Sequence, residues 1–374
     1  MEKKSLRRGY TTGTCAAIAA KAATIMLVRN CRLQTEKVMT PKGIEVSAEL
    51  HDIVREQTKV SCAVKKDAGD DPDVTHGILI YAEVELLKEP EIVIDGGIGV
   101  GRVTKAGLSQ EIGEAAINPV PKQMIQKEVR EALDVNGYLG GAKVIISVPE
   151  GETIAKKTFN PRLGIINGIS ILGTSGIVEP MSERALIDTI EVEMKVAYAN
   201  GVRNIVITPG NYGEDFIRNT LHMDLRQAVR CSNFVGEAID LAVGIGFESI
   251  LLIGHIGKFV KLAAGIMNTH SHQADGRMEV FTAHAALAGA SVETLRQVMD
   301  CISTDEAIKI LKEQGYIEST MGSIIKKAEF HLVQRCMNEV PIGAIFFSNV
   351  HGILGMTKQA EGLLEKCLKA MPKV

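Results

Sequence analysis

The sequence predicts an α/β protein with two domains, an α+β domain over residues 1–158 and an α/β domain over residues 159–374. The length of 374 residues is more than one hydrophobic core usually serves, which favours two domains. Residues 36–95 alternate apolar and polar positions between Pro and Gly, as the strands of a half-exposed sheet do. Beyond residue 159, continuous apolar runs alternate with helical patterns, which is typical of a mainly parallel sheet covered on both faces.

The elements are expected in the following order. The first domain has a helix from Ala16 to about Val28, strands within 36–95, a helix over 121–133 and a strand over 142–149. Its strand segments are not separated by helices, so the sheet is expected to be mainly antiparallel or mixed. The second domain has buried strands over 164–173, 204–210, 249–254 and 343–349. Its helices cover about 182–200, 236–243, 258–264 and 356–370, and residues 279–337 are mostly helical.

The charge and the aromatic content exclude several classes of partner. Lys and Arg number 42 and Asp and Glu 45, so a formal charge of −3 would not attract nucleic acid or an anionic membrane. Aromatic residues are only 4%, which disfavours a protein that stacks single-stranded bases. No apolar run reaches the roughly 18 residues of a membrane span. Lys21 interrupts the alanine-rich stretch after the basic N-terminus, which predicts a cytoplasmic protein rather than a signal peptide.

The cysteines and histidines form no pattern of metal ligands. Seven cysteines are scattered without a CxxC pair, as in a reduced cytosolic protein without a zinc or iron–sulfur site. Only His270 and His272 lie close in sequence, and no Cys nearby completes a site. Residues 268–275 group Asn, Thr, His and Asp side chains, which indicates either a buried hydrogen-bond network or a histidine that relays a proton.

Three glycine turns follow predicted strands of the second domain and indicate a binding crevice. They are Gly173–Gly176, Pro209–Gly213 and Gly254–Lys258. Ligands of open α/β sheets bind at the carboxyl ends of strands, where glycines let backbone N–H groups face an anionic group. Any tight turn after a strand favours glycine, but three polar turns together favour a shared crevice.

The glycine run over residues 96–101 resembles a dinucleotide fingerprint only in composition. The fingerprint requires a helix directly after the glycines, whereas a β-branched pair and another Gly follow here. We therefore expect a strand connection near a ligand, and a nicotinamide-dependent oxidoreductase is the less favoured alternative.

Two polar segments of the first domain are further candidates for ligand contact. Residues 7–16 place arginines and threonines before a helix, so an anion site at the helix N-terminus competes with a plain N-cap by Thr12 or Thr14. Residues 66–75 carry four carboxylates, which a solvated turn explains as well as a site in which one Asp accepts a proton. Cys15 is expected to be a small buried residue rather than a nucleophile.

Eight segments carry a specific resemblance across roughly residues 5–280. They are LRRGYTTGTCAAIAAKAA, KDAGDDPDVTHG, GVGRVTKAGL, GEAAINPVPKQMI, RLGIINGISILGTSGIVEPMS, TPGNYG, NFVG and LLIGHIGKFVKLAAGIMNTHSHQADGR. In this order they resemble the CbiD family of cobalt-precorrin-5B C1-methyltransferases from anaerobic cobalamin biosynthesis. The resemblance implies a Rossmann-like second domain and transfer of a methyl group from S-adenosylmethionine to C1 of cobalt-precorrin-5B, which gives cobalt-precorrin-6A. The cobalt arrives within the substrate, so no metal site of the protein is implied.

With this reaction in mind, the motifs are assigned as follows. The residues expected to bind S-adenosylmethionine are Gly173, Thr174, Ser175, Gly176, Gly210, Asn211, Gly213, Gly254 and Gly257. The residues expected to bind the tetrapyrrole, in a cleft towards the first domain, are Arg8, Thr11, Thr12, Thr14, Asp70, Asp71 and Lys258. His255, His270 and Asp67 are the candidates for handling a proton. A non-catalytic tetrapyrrole carrier is the other alternative, and the oligomeric state stays open, with a homo-oligomer among the options.

Overall fold

The computed structural model describes residues 6–223 and 228–369, and the chain divides into two compact units between Glu183 and Arg184. The sequence-based boundary lies at residue 158, so the first unit extends about 25 residues further than expected. The difference arises because residues 165–178 form short strands that pair within the first unit.

In chain order, the first unit contains β1 (Gly9–Tyr10), α1 (Thr12–Arg29), β2 (Thr35–Met39), β3 (Glu45–Arg55), β4 (Lys59–Lys65), β5 (Leu79–Leu87), β6 (Ile92–Gly96), β7 (Gly99–Val100), β8 (Arg102–Val103), α2 (Pro119–Val135), β9 (Gly141–Ser147), α3 (Gly151–Ala155), β10 (Ile165–Ile166), β11 (Gly168–Ile169) and β12 (Ile177–Val178). Six strands form one sheet in the order β2-β3-β4-β5-β9-β6. All neighbours in this sheet are antiparallel except β6 and β9, so the expected mixed sheet is confirmed.

Helix α1 forms the centre of the first core. Its residues from Cys15 to Ala20 are fully buried, and they pack with α2 against the apolar face of the sheet. The small alanine side chains let the helix approach β4 and β5 closely, which explains an alanine-rich helix without an exposed polar face.

The glycine run after β6 is a crossing of backbones. A Cβ atom added at Gly99, at Gly151 or at Gly168 would lie less than 3.0 Å from backbone atoms of the facing segment. No helix follows the run directly, since β7 lies within it and β8 comes next. The glycines therefore allow the backbones to pack closely. Without a helix directly after them, they do not form a dinucleotide-binding fingerprint.

The prediction of a long strand over residues 164–173 was wrong. This segment forms β10, antiparallel to β8, and β11, parallel to β7, and it belongs to no strand of the second unit. Its apolar run satisfied the pattern of a buried strand, but Gly164 and Asn167 adopt positive φ angles of 74° and 62°, which break a continuous strand.

In chain order, the second unit contains α4 (Glu183–Ala199), β13 (Asn204–Thr208), α5 (Asn211–Asn219), β14 (Ala228–Arg230), α6 (Val235–Ile245), β15 (Ser249–His255), α7 (Ile256–Phe259), a 3₁₀-helix (Val260–Ala264), α8 (Arg277–Leu287), α9 (Val292–Met299), α10 (Thr304–Glu313), α11 (Ile317–Arg335), β16 (Ile342–Ser348), β17 (Gly352–Met356) and α12 (Ala360–Lys369). Strands β13, β15 and β16 lie where the apolar runs predicted them. Strands β14 and β17 were missed, and α12 begins later than expected because β17 occupies residues 352–356.

The sheet of the second unit is mixed. Its order is β14-β13-β15-β16-β17, with four parallel strands and an antiparallel β17 at the edge. Apolar side chains cover both faces: one core includes Ile207 and Leu252, and the other includes Val206 and Leu251 with α5 and α12. Within the described ranges, no helix is both long and apolar enough to cross a bilayer.

Candidate functional site

Three polar segments meet at the start of α1 in the first unit: residues 7–16, residues 66–75 and the turn Gly173–Gly176. The Thr11 hydroxyl caps the helix and accepts a hydrogen bond from the Thr14 N–H at 3.2 Å. The Gly13 N–H donates to the Leu172 carbonyl at 2.9 Å, and the Thr14 hydroxyl donates to the Gly176 carbonyl at 2.7 Å. Carbonyls of the protein thus occupy donors at this helix start that an anion would require.

The predicted tetrapyrrole contacts at this helix start differ in exposure. Thr12 and Thr14 are buried, and the Thr12 hydroxyl exchanges hydrogen bonds with the backbone of Leu172. Thr11 is half-buried and Arg8 is exposed, with a loose ion pair of 3.5 Å to Glu179. Binding of the tetrapyrrole by these four residues stays a prediction. Arg8 is the one of the four whose exposed side chain leaves space for a substrate carboxylate.

The turn from Gly173 to Gly176 packs against the same helix start. A Cβ atom at Gly173 would lie less than 3.0 Å from the Thr11 side chain, and one at Gly176 would crowd Thr40. The Ser175 hydroxyl donates to the Ile177 carbonyl at 3.0 Å. Cofactor binding by Gly173, Thr174, Ser175 and Gly176 stays a prediction, but the packing of the first unit is sufficient to explain both glycines.

The acidic loop holds the N-terminal segment in place. The Arg7 guanidinium binds both oxygens of Asp67, Asp70 accepts the Arg7 N–H at 2.7 Å, and Asp71 accepts the Met181 N–H at 2.9 Å. The bond to Arg7 lowers the pKa of Asp67 to about 2. A carboxyl with so low a pKa is a weak base, so this arrangement gives no support to proton acceptance by Asp67.

Replacing Arg7 with glutamine is expected to make stability less dependent on acid pH. The pKa of Asp67 is lowered in the folded protein, so its contribution is present above the unfolded value and is lost as the pH falls towards 2. Between pH 5 and pH 3, the free energy of unfolding from urea titrations should fall less steeply in Arg7→Gln than in the wild type. Arg29→Gln is the control, because Arg29 binds the Asn136 amide oxygen; an equal change there would contradict the assignment.

The parallel strands β13, β15 and β16 of the second unit end at the same edge of the sheet, and polar residues lie at or directly after their carboxyl ends. The chain leaves β13 for β14 on one side, and β15 lies on the other side of β13. Where connections diverge in this way, the segments after the two strands leave a crevice above the sheet edge, and ligands of α/β proteins bind there. The turns Pro209–Gly213 and Gly254–Lys258 follow β13 and β15, so the structure brings these two predicted turns to one edge.

Glycine 210 is the open position of the first turn. It precedes α5, and a Cβ atom there would meet no atom within 4 Å. By contrast, a Cβ atom at Gly213 would crowd Thr208, and one at Gly254 would crowd the Phe259 ring. Asn211 is fixed by the Arg230 guanidinium, which donates to its amide oxygen at 3.0 Å. Of the glycines in these two turns, Gly210 is the one with open space at its Cβ position, and cofactor binding by the turn residues stays a prediction.

His255 ends β15 and caps α7. Its Nδ1 accepts the Gly257 N–H at 3.1 Å, so the neutral ring carries its proton on Nε2 and can donate from there. The ring lies 5.8 Å from that of Tyr212 and edge-on to that of Phe347. Burial lowers the pKa of His255, and the charge of Asp305 acts in the opposite direction. Burial therefore favours the neutral imidazole.

Lys258 ties two strand ends together. Its ammonium donates to the carbonyls of Pro209 at 3.3 Å and Ser232 at 3.4 Å, and burial lowers its pKa. His270 is different from His255, because its ring is exposed and pairs with His272 at 4.9 Å. Of the two histidines predicted to handle a proton, His255 is the one at the strand ends.

Asp305 and Ser348 were missed by the sequence interpretation. Ser348 is the last residue of β16, and its hydroxyl donates to the Asp305 carboxylate at 2.6 Å. Ser348 is a polar residue at the end of an apolar strand. The same pattern pointed to His255, so it could have identified Ser348 as well. Asp305 lies in a helical segment without a motif, so no signal could have found it before folding brought α10 to this edge.

The chain is similar to CbiD proteins along most of its length. Residues 1–180 match the family model described as CbiD, and residues 268–358 match that described as CbiD, C-terminal domain. A protein of Ruminiclostridium cellulolyticum is 53% identical over 93% of this chain and 90% of its own length. One of Alkaliphilus metalliredigens is 46% identical over 97% and 95%, respectively. Both relatives are named cobalt-precorrin-5B C(1)-methyltransferase.

A solved structure is also similar. It is described as the cobalamin biosynthesis protein (cbiD) of Archaeoglobus fulgidus, and it is 31% identical over 73% of this chain and 84% of that chain, with a TM-score of 0.39. The two family-model matches, together with the relatives that align over nearly the whole length, determine the membership. The chain therefore belongs to the CbiD family.

Proposed function

We propose that this chain methylates C1 of cobalt-precorrin-5B with S-adenosylmethionine, giving cobalt-precorrin-6A. The observation that carries the proposal is the high identity, 53% and 46%, to relatives named as this methyltransferase over nearly the whole chain. The same biosynthetic role supports a cytoplasmic location. The protein's own partner would be this one tetrapyrrole, with cobalt carried in by the substrate.

The second unit is proposed to bind the methyl donor. Taken in chain order, its parallel strands stand in the order 2-1-3-4, which is that of flavodoxin-like doubly wound sheets and supports a Rossmann-like domain. The crevice of such a sheet lies between the first and third strands, here β13 and β15. Gly210 and Asn211 follow β13, His255 ends β15, and Gly257 follows it.

The residues at this edge fit S-adenosylmethionine chemically. The donor has an amino-acid end with both charges, a ribose with two hydroxyls and an adenine ring. The start of α5 offers backbone N–H groups for the carboxylate, since Gly210 leaves open space beside it. The Tyr212 ring is exposed and offers an aromatic face for adenine. Asp305 offers a carboxylate for a cationic group or a ribose hydroxyl.

Catalysis by this chain would consist chiefly of orientation. When bound, S-adenosylmethionine would supply a sulfonium methyl group that an electron-rich ring carbon attacks in line, and the C–S bond would break with S-adenosylhomocysteine as the leaving group. The crevice residues hold the two reactants in that line, and well-oriented systems gain up to about 7–11 kcal/mol in this way. Lys258 fixes the segments after β13 and β14 through the carbonyls of Pro209 and Ser232. His255 holds a proton at Nε2, from which it donates a hydrogen bond to a bound reactant.

The first unit is proposed to contact the tetrapyrrole carboxylates. Arg8 is the leading residue, because its pairing with Glu179 is loose and exposed and can be exchanged for a substrate carboxylate. Thr11, which is half-buried and caps α1, is a second candidate. Replacing Arg8 with alanine should weaken tetrapyrrole binding and leave the affinity for S-adenosylmethionine unchanged.

The deciding experiment is transfer of a radiolabelled methyl group to enzymatically prepared cobalt-precorrin-5B. A labelled product with the mass of cobalt-precorrin-6A is the expected result. Binding of the tetrapyrrole without label in the product would identify a carrier and overturn the proposed activity. Heat-denatured protein serves as the control for uncatalysed methylation.

Replacing Gly210 with valine should weaken binding of S-adenosylmethionine about 10-fold or more, because the side chain would fill the open space beside α5; this corresponds to about 1.4 kcal/mol. Isothermal titration calorimetry measures the affinity. Gly201→Val is the matched control, since Gly201 also has no atom within 4 Å of a Cβ but lies between α4 and the amino end of β13, at the other end of that strand from Gly210. Equal affinity in the two variants would place the donor elsewhere.

A further inference from the structure

Arg230 joins the end of β14 to the first turn of α5. It is the last residue of β14 and pairs with Thr208 on β13. Its Nη1 donates to the Oδ1 of Asn211 at 3.0 Å, and its Nε lies 2.9 Å from the Oε1 of Glu214. Because residues three apart in a helix are neighbours on its surface, one guanidinium holds both side chains of α5.

Both ends of this link are held firmly. On the sheet side, the Cys231 N–H directly after Arg230 donates to the Thr208 carbonyl at 2.9 Å, which fixes the backbone at the end of the strand. On the helix side, Glu214 is buried, where a carboxylate requires a partner. The N-cap of α5 is Gly210, which has no side chain to cap the helix. Arg230 therefore fixes the start of α5 from the neighbouring strand.

The same contact determines how the Asn211 amide is turned. A guanidinium has only donors, so the amide atom that faces Arg230 is the oxygen. The NH₂ group then points away from Arg230, and no described residue accepts a hydrogen bond from it. Asn211 is exposed and adjoins Gly210, whose Cβ position is open. The start of α5 thus presents an amide donor beside its backbone N–H groups.

We infer that Arg230 is a positioning residue for the methyl donor: by holding the amide oxygen of Asn211, it keeps the NH₂ group turned towards the carboxylate of bound S-adenosylmethionine. The inference rests on the proposed binding of the donor at this edge of the sheet. Without Arg230, the amide could turn over and present its oxygen, which repels a carboxylate. The guanidinium acts through Asn211, because it is engaged there and at Glu214.

A double-mutant cycle on the affinity for S-adenosylmethionine, measured by isothermal titration calorimetry, tests this role. Asn211→Ala removes the amide donor and should weaken binding about 10-fold or more, as loss of a hydrogen bond to a charged group does. Arg230→Met removes the contact and keeps a long side chain, and it should weaken binding about 3- to 10-fold. The double variant should bind within about twofold of Asn211→Ala alone, because Arg230 acts through Asn211.

This non-additivity separates positioning from the other roles that Arg230 could have. If Arg230 touched the donor, or if its loss only disordered α5, Arg230→Met would weaken binding equally in both backgrounds. Such additive losses would overturn the inference. Arg230→Lys serves if Arg230→Met folds poorly, since lysine can neutralise Glu214 but lacks the fork that reaches both side chains. It should show the same pattern with a smaller loss.

Arg218→Met is the matched control, because it removes the same charge from an exposed position in the last turn of α5. Its affinity for S-adenosylmethionine should stay within about twofold of the wild type. A loss equal to that of Arg230→Met would show that the charge of the helix region, rather than the contact with Asn211, supports binding.

A measurement without ligand gives a second readout. In full-length protein labelled with ¹⁵N-asparagine, the side-chain amide signal of Asn211 should shift in Arg230→Lys and stay in place in Arg218→Met. An unshifted signal in Arg230→Lys would contradict the inference. A wild type that does not bind S-adenosylmethionine would overturn the proposed donor site and the inference with it, whereas additive losses in a wild type that binds would overturn the inference alone.

Discussion

Replacing Gly99 with alanine is expected to lower the free energy of unfolding by about 3 to 5 kcal/mol. Two costs add at this position. The φ angle of Gly99 is 71°, which a residue with a Cβ adopts only with strain. The added Cβ would also lie less than 3.0 Å from the Val148 carbonyl, and backbone atoms cannot turn aside as a flexible side chain can.

The matched control is Gly43→Ala. Gly43 has a similar φ angle of 76°, but a Cβ there would meet nothing within 4 Å. It should therefore lose only about 1 kcal/mol, the cost of the backbone conformation alone. Urea denaturation followed by circular dichroism measures both losses. Similar losses of unfolding free energy in the two variants would mean that the backbones at Gly99 are not closely packed. Ligand binding would then again be the better explanation of the glycines at 96–101.

Replacing His255 with asparagine is expected to lower kcat for methyl transfer by about 10² to 10⁴. Asparagine is a good N-cap, so its amide oxygen can replace Nδ1 as the acceptor of the Gly257 N–H and keep the start of α7. What the variant loses is the donor at Nε2. Stability should therefore change little while the rate falls, and His255→Gln, which can place an amide N–H near Nε2, should recover part of the rate.

The variant His270→Asn tests which of the two candidate histidines, His255 or His270, handles the proton. His270 is exposed and paired with His272, so its replacement should change kcat by less than about threefold, as for surface positions. Both rates come from the radiolabelled methyl assay at saturating substrate. A large loss in His270→Asn together with a small loss in His255→Asn would reverse the assignment.

Local patterns predicted much of the second unit. The apolar runs at 204–210, 249–254 and 343–349 are the strands β13, β15 and β16, because a strand covered on both faces is apolar at every position. The same rule misassigned residues 164–173, where an apolar run is buried by two short strands of the first unit instead. Periodicity reports that a segment is buried, and it does not report which sheet buries it.

The glycines illustrate the same limit. The sequence identified the runs at 96–101 and 173–176 as unusual and associated them with a ligand. In the folded chain, Gly99 faces the backbone near Val148, and Gly173 faces the cap of α1 at Thr11. Each close approach joins segments far apart in sequence, so no local pattern could distinguish it from a ligand contact.

The sequence by itself determined the family, through eight ordered motifs, and the identity of the strands whose ends carry polar turns. Both properties are local, since motif order and apolar periodicity are written in consecutive residues. Only the tertiary structure decided that Gly210 is open while Gly213 is packed, that His255 ends a strand of the sheet whereas His270 is exposed, and that Asp305 binds Ser348 at the end of β16. These properties depend on which segments, far apart in sequence, come into contact in the folded chain. Burial, hydrogen bonding and pKa shifts result from those contacts.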